Sequence, residues 1–134
     1  MCINAAAASS DVSEIAGRTQ RYSDLLAKMD AEALAAFYVA DAQVSVTGGQ
    51  AIKGREAIKA HLQANMGYQV LSDVMTADSI AVNGAAAAVD GTYTQQMRTP
   101  KGKEFSAHGK YKADWVKDKD GVWRIKAMVA MPAD

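Results

Sequence analysis

The second half of the chain is a run of extended segments joined by very short turns, and this feature constrains the fold most. Asn83-Gly84 is the strongest two-residue hairpin signal in the sequence, because both residues tolerate positive φ in a type I′ turn. Residues 99–102 and 118–121 mark two more tight turns. Strands that are joined by such short turns have to pair antiparallel. The sequence therefore predicts four antiparallel strands, over residues 68–82, 86–98, 104–117 and 122–131.

Helical periodicity begins at Asp11. The apolar residues that follow recur on one face of a helix: Ile15, Tyr22, Leu25, Leu26 and Met29. Residues 1–10 are small and show no periodicity, so we expect a disordered or frayed tail there. Residues 11–134 are enough for a single domain with one modest core.

Two more helices, a strand and a short return strand over residues 51–53 are predicted before residue 67. Asp30 can cap a short helix, whose predicted apolar positions are Leu34, Phe37 and Tyr38. Residues 41–47 alternate with period two, which predicts a strand with one side formed by Ala42, Val44 and Val46. A third helix is predicted to start at Gly54, with the apolar positions Ile58, Leu62 and Met66.

This order of elements predicts an α+β fold. Three helices and one face of a sheet each have an apolar surface, and these surfaces have to cover one another. The economical arrangement is a curved, mainly antiparallel mixed sheet wrapped around the three helices, as an α+β cone or barrel. The apolar faces would then enclose a common interior.

Composition excludes several classes of function. The 134 residues include 15 basic and 15 acidic side chains, so no overall field attracts nucleic acid or an anionic membrane. The single cysteine, Cys2, and the two histidines favour neither an internal disulfide nor a metal site. No apolar run is long enough to span a bilayer, and the N-terminus lacks the features of a signal peptide. We therefore expect a cytoplasmic protein with no metal, no cofactor, and no nucleic-acid or membrane partner.

Three segments resemble the nuclear-transport-factor-two-like superfamily, and specifically its small SnoaL-like members. They are residues 30–42 (DAEALAAFYVADA), residues 54–58 (GREAI) and residues 111–125, with Trp115, Asp120-Gly121 and Trp123-Arg124-Ile125. Their order and spacing carry the resemblance, which spans about residues 13–131. It implies a cone-shaped α+β fold with a pocket at one end, and frequent homodimers. Because the superfamily includes isomerases, cyclases, dehydratases, binding proteins and assembly domains, the fold alone assigns no activity.

Ketosteroid isomerase, a member of that superfamily, allows one activity to be tested against the residues. The resemblance places Tyr22, in Gln20-Arg21-Tyr22, where that enzyme has an oxyanion-donating tyrosine. Without gaps, the position of its aspartate base falls on Val46, which cannot accept a proton. No carboxylate falls at the position of its second donor, near residues 111–113. We therefore reject this reaction and name no catalytic residue.

The resemblance and the strand patterns together predict a pocket for a mostly apolar small molecule with one or two oxygens. Tyr93 and Gln95 share an inward strand face with Val89 and Met97, and an inward glutamine needs partners that water or a ligand would supply. The expected lining residues are Tyr22, Phe37, Val46, Met66, Tyr93, Gln95, Tyr111 and Trp115. For the aromatic residues, a structural place in the core is the alternative. Any chemistry would be hydroxyl-assisted isomerisation, cyclisation or dehydration, because no nucleophile or base is evident.

A second function stays open, namely a non-catalytic homodimerisation or assembly module with a vestigial cavity. Abundant alanine supports it, because small residues let elements approach closely and shrink a cavity. A homodimer is expected in either case, through the outer face of the sheet, where Met128 and Ala130 are predicted to alternate with Arg124 and Lys126. A large cavity that reaches solvent would distinguish the binding protein from the module.

Overall fold

The computed structural model describes residues 5–47, 49–64 and 68–133, which fold into three helices and six strands. The helices are α1 (Ala5–Lys28), α2 (Ala31–Ala35) and α3 (Arg55–Ala64). The strands are β1 (Tyr38–Val46), β2 (Ile52–Lys53), β3 (Gln69–Asn83), β4 (Ala86–Arg98), β5 (Glu104–Lys117) and β6 (Trp123–Pro132). The predicted α+β class and the four long strands of the second half are confirmed.

The six strands form one curved mixed sheet in the order β2-β1-β6-β5-β4-β3. β1 and β6 pair in parallel, and the other neighbouring pairs are antiparallel. Within the described residues β2 and β3 form the two edges, so the sheet is open and does not close into the predicted barrel. α1 packs along β3, and α2 and α3 pack against each other next to β1.

α1 begins at Ala5, whereas a start at Asp11 was predicted. Residues 5–10, assigned to the frayed tail, are therefore helical. The sequence there has no apolar stripe, but alanine has the highest helix propensity of all residues and extends the helix without one. Within α1, Asp11 accepts a 3.1 Å hydrogen bond from the indole Nε1 of Trp123, which joins α1 to the start of β6.

α2 is shorter than predicted and ends at Ala35. Asp30 caps it as expected, since its side chain accepts a 3.1 Å hydrogen bond from the backbone N–H of Ala33. Phe37 and Tyr38 lie outside this helix, contrary to the prediction. Tyr38 is the first residue of β1 and pairs with β6 at a fully buried position. Sheet pairing and burial thus override the helical spacing of these two aromatic residues.

β6 contains a bulge near its start. The β5–β6 ladder pairs Trp115 with Ile125, but it pairs the preceding Asp114 with Ala127. Lys126 is therefore an extra residue without a partner in the ladder. A single extra residue exchanges the two faces of a strand beyond that point.

The faces of β6 beyond the bulge are consequently the reverse of the predicted ones. Met128 and Ala130 pair with Ala113 and Tyr111, which are both buried on the inner face. Directly paired residues share a face of the sheet. Met128 and Ala130 therefore face the helices, and the prediction that they form the outer surface is wrong.

The core lies between the helices and the inner face of the sheet. Its most completely buried residues come from both halves of the chain: Ile15, Leu34, Ala42, Trp123 and Ile125. Burial of each large apolar side chain contributes about 1.5–3 kcal/mol to the free energy of unfolding. Between α1 and the paired strands β3 to β6, the packing is incomplete and a cavity opens.

Candidate ligand-binding site

The cavity has a volume of about 260 Å³ and lies between α1 and the inner face of the sheet. Its lining residues come from α1, β1 and β3 to β6: Tyr22, Leu26, Val46, Asp73, Met75, Tyr93, Gln95, Tyr111, Met128, Ala130 and Pro132. Val46 is 49% exposed, so the rim of the cavity reaches solvent. A mostly apolar lining with a few polar groups is the usual composition of a small-molecule site.

Asp73 of β3 contributes a buried carboxyl group to this lining. The residue is 9% exposed, and its Oδ2 lies 2.5 Å from the hydroxyl of Ser23 on α1. Oδ1 is also buried and has no hydrogen-bond partner among the described residues. Burial raises the pKa of the Asp73 carboxyl, while the hydrogen bond from Ser23 and the nearby amide of Gln95 offset part of that rise.

The Ser23 hydroxyl lies close to two oxygens of Asp73, the carboxyl Oδ2 at 2.5 Å and the backbone carbonyl at 2.8 Å. A hydroxyl has one proton and can donate to one of them at a time. When Asp73 is protonated on Oδ2, it donates to Ser23, Ser23 donates to the carbonyl, and Oδ1 is an acceptor. When Asp73 is protonated on Oδ1, Ser23 donates to Oδ2 and Oδ1 is a donor. Oδ1 of a neutral Asp73 can therefore either accept a hydrogen bond from a ligand hydroxyl or donate one to a ligand oxygen.

Tyr22 and Tyr38 form a buried hydroxyl pair beside the cavity. Their hydroxyl oxygens are 2.6 Å apart. Burial raises the pKa of Tyr22 to about 12 and the pKa of Tyr38 well above its ordinary value, so both are neutral at physiological pH. The ring of Phe37 packs edge-on against Tyr22, with ring centroids 5.6 Å apart. When Tyr38 donates to Tyr22, the Tyr22 proton is free to donate into the cavity.

Two glycines make room for the other two phenol rings of the lining. A Cβ atom on Gly91 would lie 2.6 Å from the ring of Tyr111, so this ring can cross β4 because residue 91 has no side chain. The Tyr111 hydroxyl then reaches β3 and donates to the carbonyl of Thr76 at 3.3 Å. A Cβ atom on Gly109 would lie 3.0 Å from the hydroxyl oxygen of Tyr93. Burial raises the pKa of Tyr111 to about 12 and raises that of Tyr93.

The structure brings five of the eight predicted lining residues to this cavity: Tyr22, Val46, Tyr93, Gln95 and Tyr111. Phe37 lies behind Tyr22 in the core. Trp115 is also in the core, beside a gap that does not admit a water molecule, and its buried Nε1 has no partner among the described residues. Met66 lies outside the described residues.

Sequence reasoning missed Asp73 because a second bulge decides which way it points. Regular counting from the hairpin turn at residues 84–85, where Asn83 pairs with Ala86, places Asp73 opposite Gln96, on the outer face of the sheet. The β3–β4 ladder instead skips Asp78, and Asp73 pairs with Gln95 on the inner face. The indication available in the sequence is that Asp73 lies two residues before the apolar Met75, and residues with this spacing share one face of a strand. This indication is weak because the predicted strand over residues 68–82 does not alternate regularly. The sequence predicts no inward base, whereas the structure contains an inward carboxyl, that of Asp73.

The polar groups that line the cavity are three phenol hydroxyls, one amide and one carboxyl, and these exchange hydrogen bonds and protons. In residues 5–47, 49–64 and 68–133, no group of three or more His, Cys, Asp or Glu side chains is arranged to hold a metal ion. Within the same ranges, no helix is both long enough and apolar enough to cross a membrane.

The open mixed sheet, its helices and the cavity between them define an α+β fold of the nuclear-transport-factor-two-like class. An NTF2-like protein with a cystatin-like fold from Novosphingobium aromaticivorans is similar, with a TM-score of 0.77, 26% identity, and 93% of this chain and 83% of that chain covered. A ketosteroid isomerase-like protein from Erwinia carotovora atroseptica has a TM-score of 0.79 and 14% identity, with 90% of this chain and 93% of that chain covered. A Mycobacterium tuberculosis protein of unknown function has a TM-score of 0.86 and 20% identity, with 98% of this chain and 76% of that chain covered.

The family model of the SnoaL-like domain matches residues 7–129. The chain therefore belongs to the SnoaL-like domain family, as the resemblance of its segments indicated. No curated protein is similar enough in sequence to match this chain. A shared fold does not identify the ligand, so the function has to be inferred from the chemistry of the site.

Proposed function

We propose that this protein binds a mostly apolar small molecule with one or two oxygen atoms in the 260 Å³ cavity, and that Asp73 exchanges a proton with it. The observation that carries the proposal is the buried Asp73 carboxyl, whose Oδ1 has no partner among the described residues. A buried polar atom without a partner costs about 1–3 kcal/mol. A ligand hydroxyl that donates to Oδ1, or a ligand oxygen that accepts from Oδ1 when Asp73 is protonated there, would remove that cost, and the apolar lining would hold the rest of the molecule.

The proposed chemistry is proton transfer, as in an isomerisation, cyclisation or dehydration. A carboxyl whose pKa is raised by burial serves as an acid or a base closer to neutral pH than an exposed aspartate does. In its ionised form, Asp73 would take a proton from the carbon next to a ligand carbonyl, and the neutral acid that results would return a proton to the ligand. The neutral hydroxyls of Tyr22 and Tyr93 line the same cavity and would donate to the oxygen that gains negative charge.

The alternative function is an assembly module whose cavity is vestigial. A vestigial cavity is expected to be closed and filled with apolar side chains. The observed cavity reaches solvent at Val46 and contains the carboxyl of Asp73. Both features support ligand binding over the assembly module.

Exchange of the α-protons of a small ketone tests this proposal without the natural substrate. In deuterated water near neutral pH, we expect the protein to accelerate hydrogen–deuterium exchange at the α-carbons of cyclohexanone, followed by proton NMR. Asp73→Asn keeps the size of the side chain but cannot exchange a proton in this way. The variant should therefore lose exchange rate by a factor on the order of 10².

Asp114→Asn is the matched control for this experiment. Asp114 lies on β5 as an exposed residue, so this variant should exchange cyclohexanone protons at the wild-type rate. A wild-type rate in Asp73→Asn would contradict the role of Asp73 in proton transfer. A wild-type protein that neither binds nor exchanges the ketone would contradict the proposed function and favour the assembly module.

A further inference from the structure

A second cavity, of about 190 Å³, adjoins the first. Leu26 of α1 and Gln95 of β4 line both cavities. The other residues of the second cavity are all apolar: Met29, Ala31, Leu34, Leu62, Val70 and Met97. The polar groups, by contrast, lie in the first cavity, around Asp73 and the tyrosines. The two adjoining spaces therefore differ sharply in chemistry.

We propose that the two cavities form one elongated site for a molecule with a carbonyl or hydroxyl group at one end and a hydrocarbon tail at the other. This inference rests on the proposed function, because it places the oxygen-bearing end beside Asp73. The tail then passes between Leu26 and Gln95 into the apolar second cavity. Such a ligand matches the distribution of polar and apolar groups along the site.

The volumes support a joint site. Small-molecule sites usually measure roughly 300–1,000 Å³. Neither 260 Å³ nor 190 Å³ reaches this range, whereas the two volumes together fall within it. Leu26 and Gln95, which line both cavities, are half-buried side chains with rotatable bonds. A rotamer change at either residue can connect the two cavities without movement of the backbone.

Two methionines make the wall of the second cavity adaptable. Met29 follows the last residue of α1 and has the left-handed conformation, with φ at 54°, where glycine is the usual residue. Its side chain lines the second cavity together with that of Met97. Unbranched thioether side chains adjust to ligands of different shape. Met29 and Met97 therefore suit a flexible tail, and their methyl groups are natural reporters of its presence.

A series of straight-chain methyl ketones, from 2-butanone to 2-undecanone, tests this inference. The protein carries 13C-labelled methionine methyl groups, and each ketone is titrated while the methyl resonances are followed by NMR. Short ketones should shift Met75 and Met128 in the first cavity and leave Met29 and Met97 unchanged. Longer ketones should shift all four. Affinity should rise about fourfold per added methylene until the second cavity is full.

Leu62→Trp places a large side chain in the second cavity and is the corresponding variant. This variant should bind 2-butanone with the wild-type affinity, but its affinity should not rise as the ketone chain becomes longer. Gln63→Trp is the matched control, because Gln63 is the next residue of α3, is exposed and does not line the cavity. This control should retain the full gain with chain length. The methyl shifts of the wild-type protein test the inference even where Leu62→Trp fails to fold.

The outcomes separate this inference from the proposed function. Ketones that shift Met75 and Met128 at every chain length, with no response of Met29 and Met97 and no gain in affinity, would overturn the elongated site and leave the proposed function intact. Ketones that shift none of the four methionines would overturn both. Shifts of Met29 and Met97 that appear only with the longer ketones support the elongated site.

Discussion

Asp73 makes the stability of the protein depend on pH. Burial raises the pKa of its carboxyl in the folded state above the pKa in the unfolded chain. The folded state then binds the proton more tightly, so the free energy of unfolding falls as pH rises from the unfolded pKa through the folded pKa. Asp73→Asn removes this titration. We expect the variant to be more stable than the wild type above the folded pKa, as measured by urea unfolding across a pH series.

The low-pH end of the same urea-unfolding series is a control for the effect of Asp73→Asn. Below the ordinary range of an aspartate pKa, the carboxyl is protonated in both states, so the wild type and Asp73→Asn should be similar in stability there. Asp114→Asn, at an exposed position, should follow the wild type throughout. Parallel curves for the wild type and Asp73→Asn would show that the carboxyl is solvated in the folded state.

The hydroxyl pair of Tyr22 and Tyr38 gives a second prediction at the residue scale. Tyr22→Phe leaves the Tyr38 hydroxyl buried without its partner and should lower the free energy of unfolding by about 1–3 kcal/mol. Tyr38→Phe should cost less, because Tyr22 lines the cavity and its hydroxyl can bind water there. The double variant should cost less than the sum of the two, as measured in a double-mutant cycle by chemical unfolding. Additive effects would show that the two hydroxyls do not interact.

At the scale of the elements, the close crossing of Tyr111 over β4 depends on Gly91. Gly91→Ala would place a Cβ atom 2.6 Å from the Tyr111 ring and against the carbonyl of Thr76, so a strand or the ring has to move. Such overpacking typically costs about 1–3 kcal/mol. Thermal or urea unfolding of Gly91→Ala should show this loss, together with a change in the environment of Tyr111.

Gly17→Ala is the matched control for this substitution. Gly17 is an exposed residue inside α1, and a Cβ atom there meets nothing within 4 Å. An added methyl group in a helix interior should stabilise the protein by about 0.5–1 kcal/mol. Equal effects of the two substitutions would contradict the close packing assigned to Gly91.

At the scale of the whole molecule, we expect a homodimer through the outer face of the sheet. Beyond the bulge, Val129 and Met131 of β6 pair with Lys112 and Lys110 of β5 on that face. Alternating apolar and basic positions suit a self-complementary two-fold contact. Light scattering should give twice the 14.2 kDa mass of one chain. Val129→Asp should lower the measured mass toward that of one chain. Ala85→Asp, at an exposed turn position, is the control and should leave the mass unchanged. A wild-type mass of 14.2 kDa at high concentration would contradict the dimer.

Much of the fold could be predicted from local patterns. The first hairpin turn forms one residue later than predicted, at Gly84-Ala85, because Asn83 still pairs with Ala86 as the last residue of β3. This turn and the two later turns determine four antiparallel strands, because short loops leave no other pairing. The cap at Asp30 likewise acts through its own neighbouring backbone. The inward face of β4, with Tyr93 and Gln95, follows from strict alternation in a strand without a bulge. These features depend on residues that are near one another in the chain.

The candidate site depended on interactions that local patterns do not contain. The bulges at Asp78 and Lys126 exchange the faces of β3 and β6, and they bring Asp73 and Met128 to the cavity. A bulge forms where the packing of a whole strand against α1 and its neighbours outweighs the lost pairing of one residue. The sequence by itself determined the strands, the turns and the phenol-bearing face of β4. The tertiary structure decided which carboxyl faces the ligand, because one extra residue in a strand turns every later side chain to the opposite face.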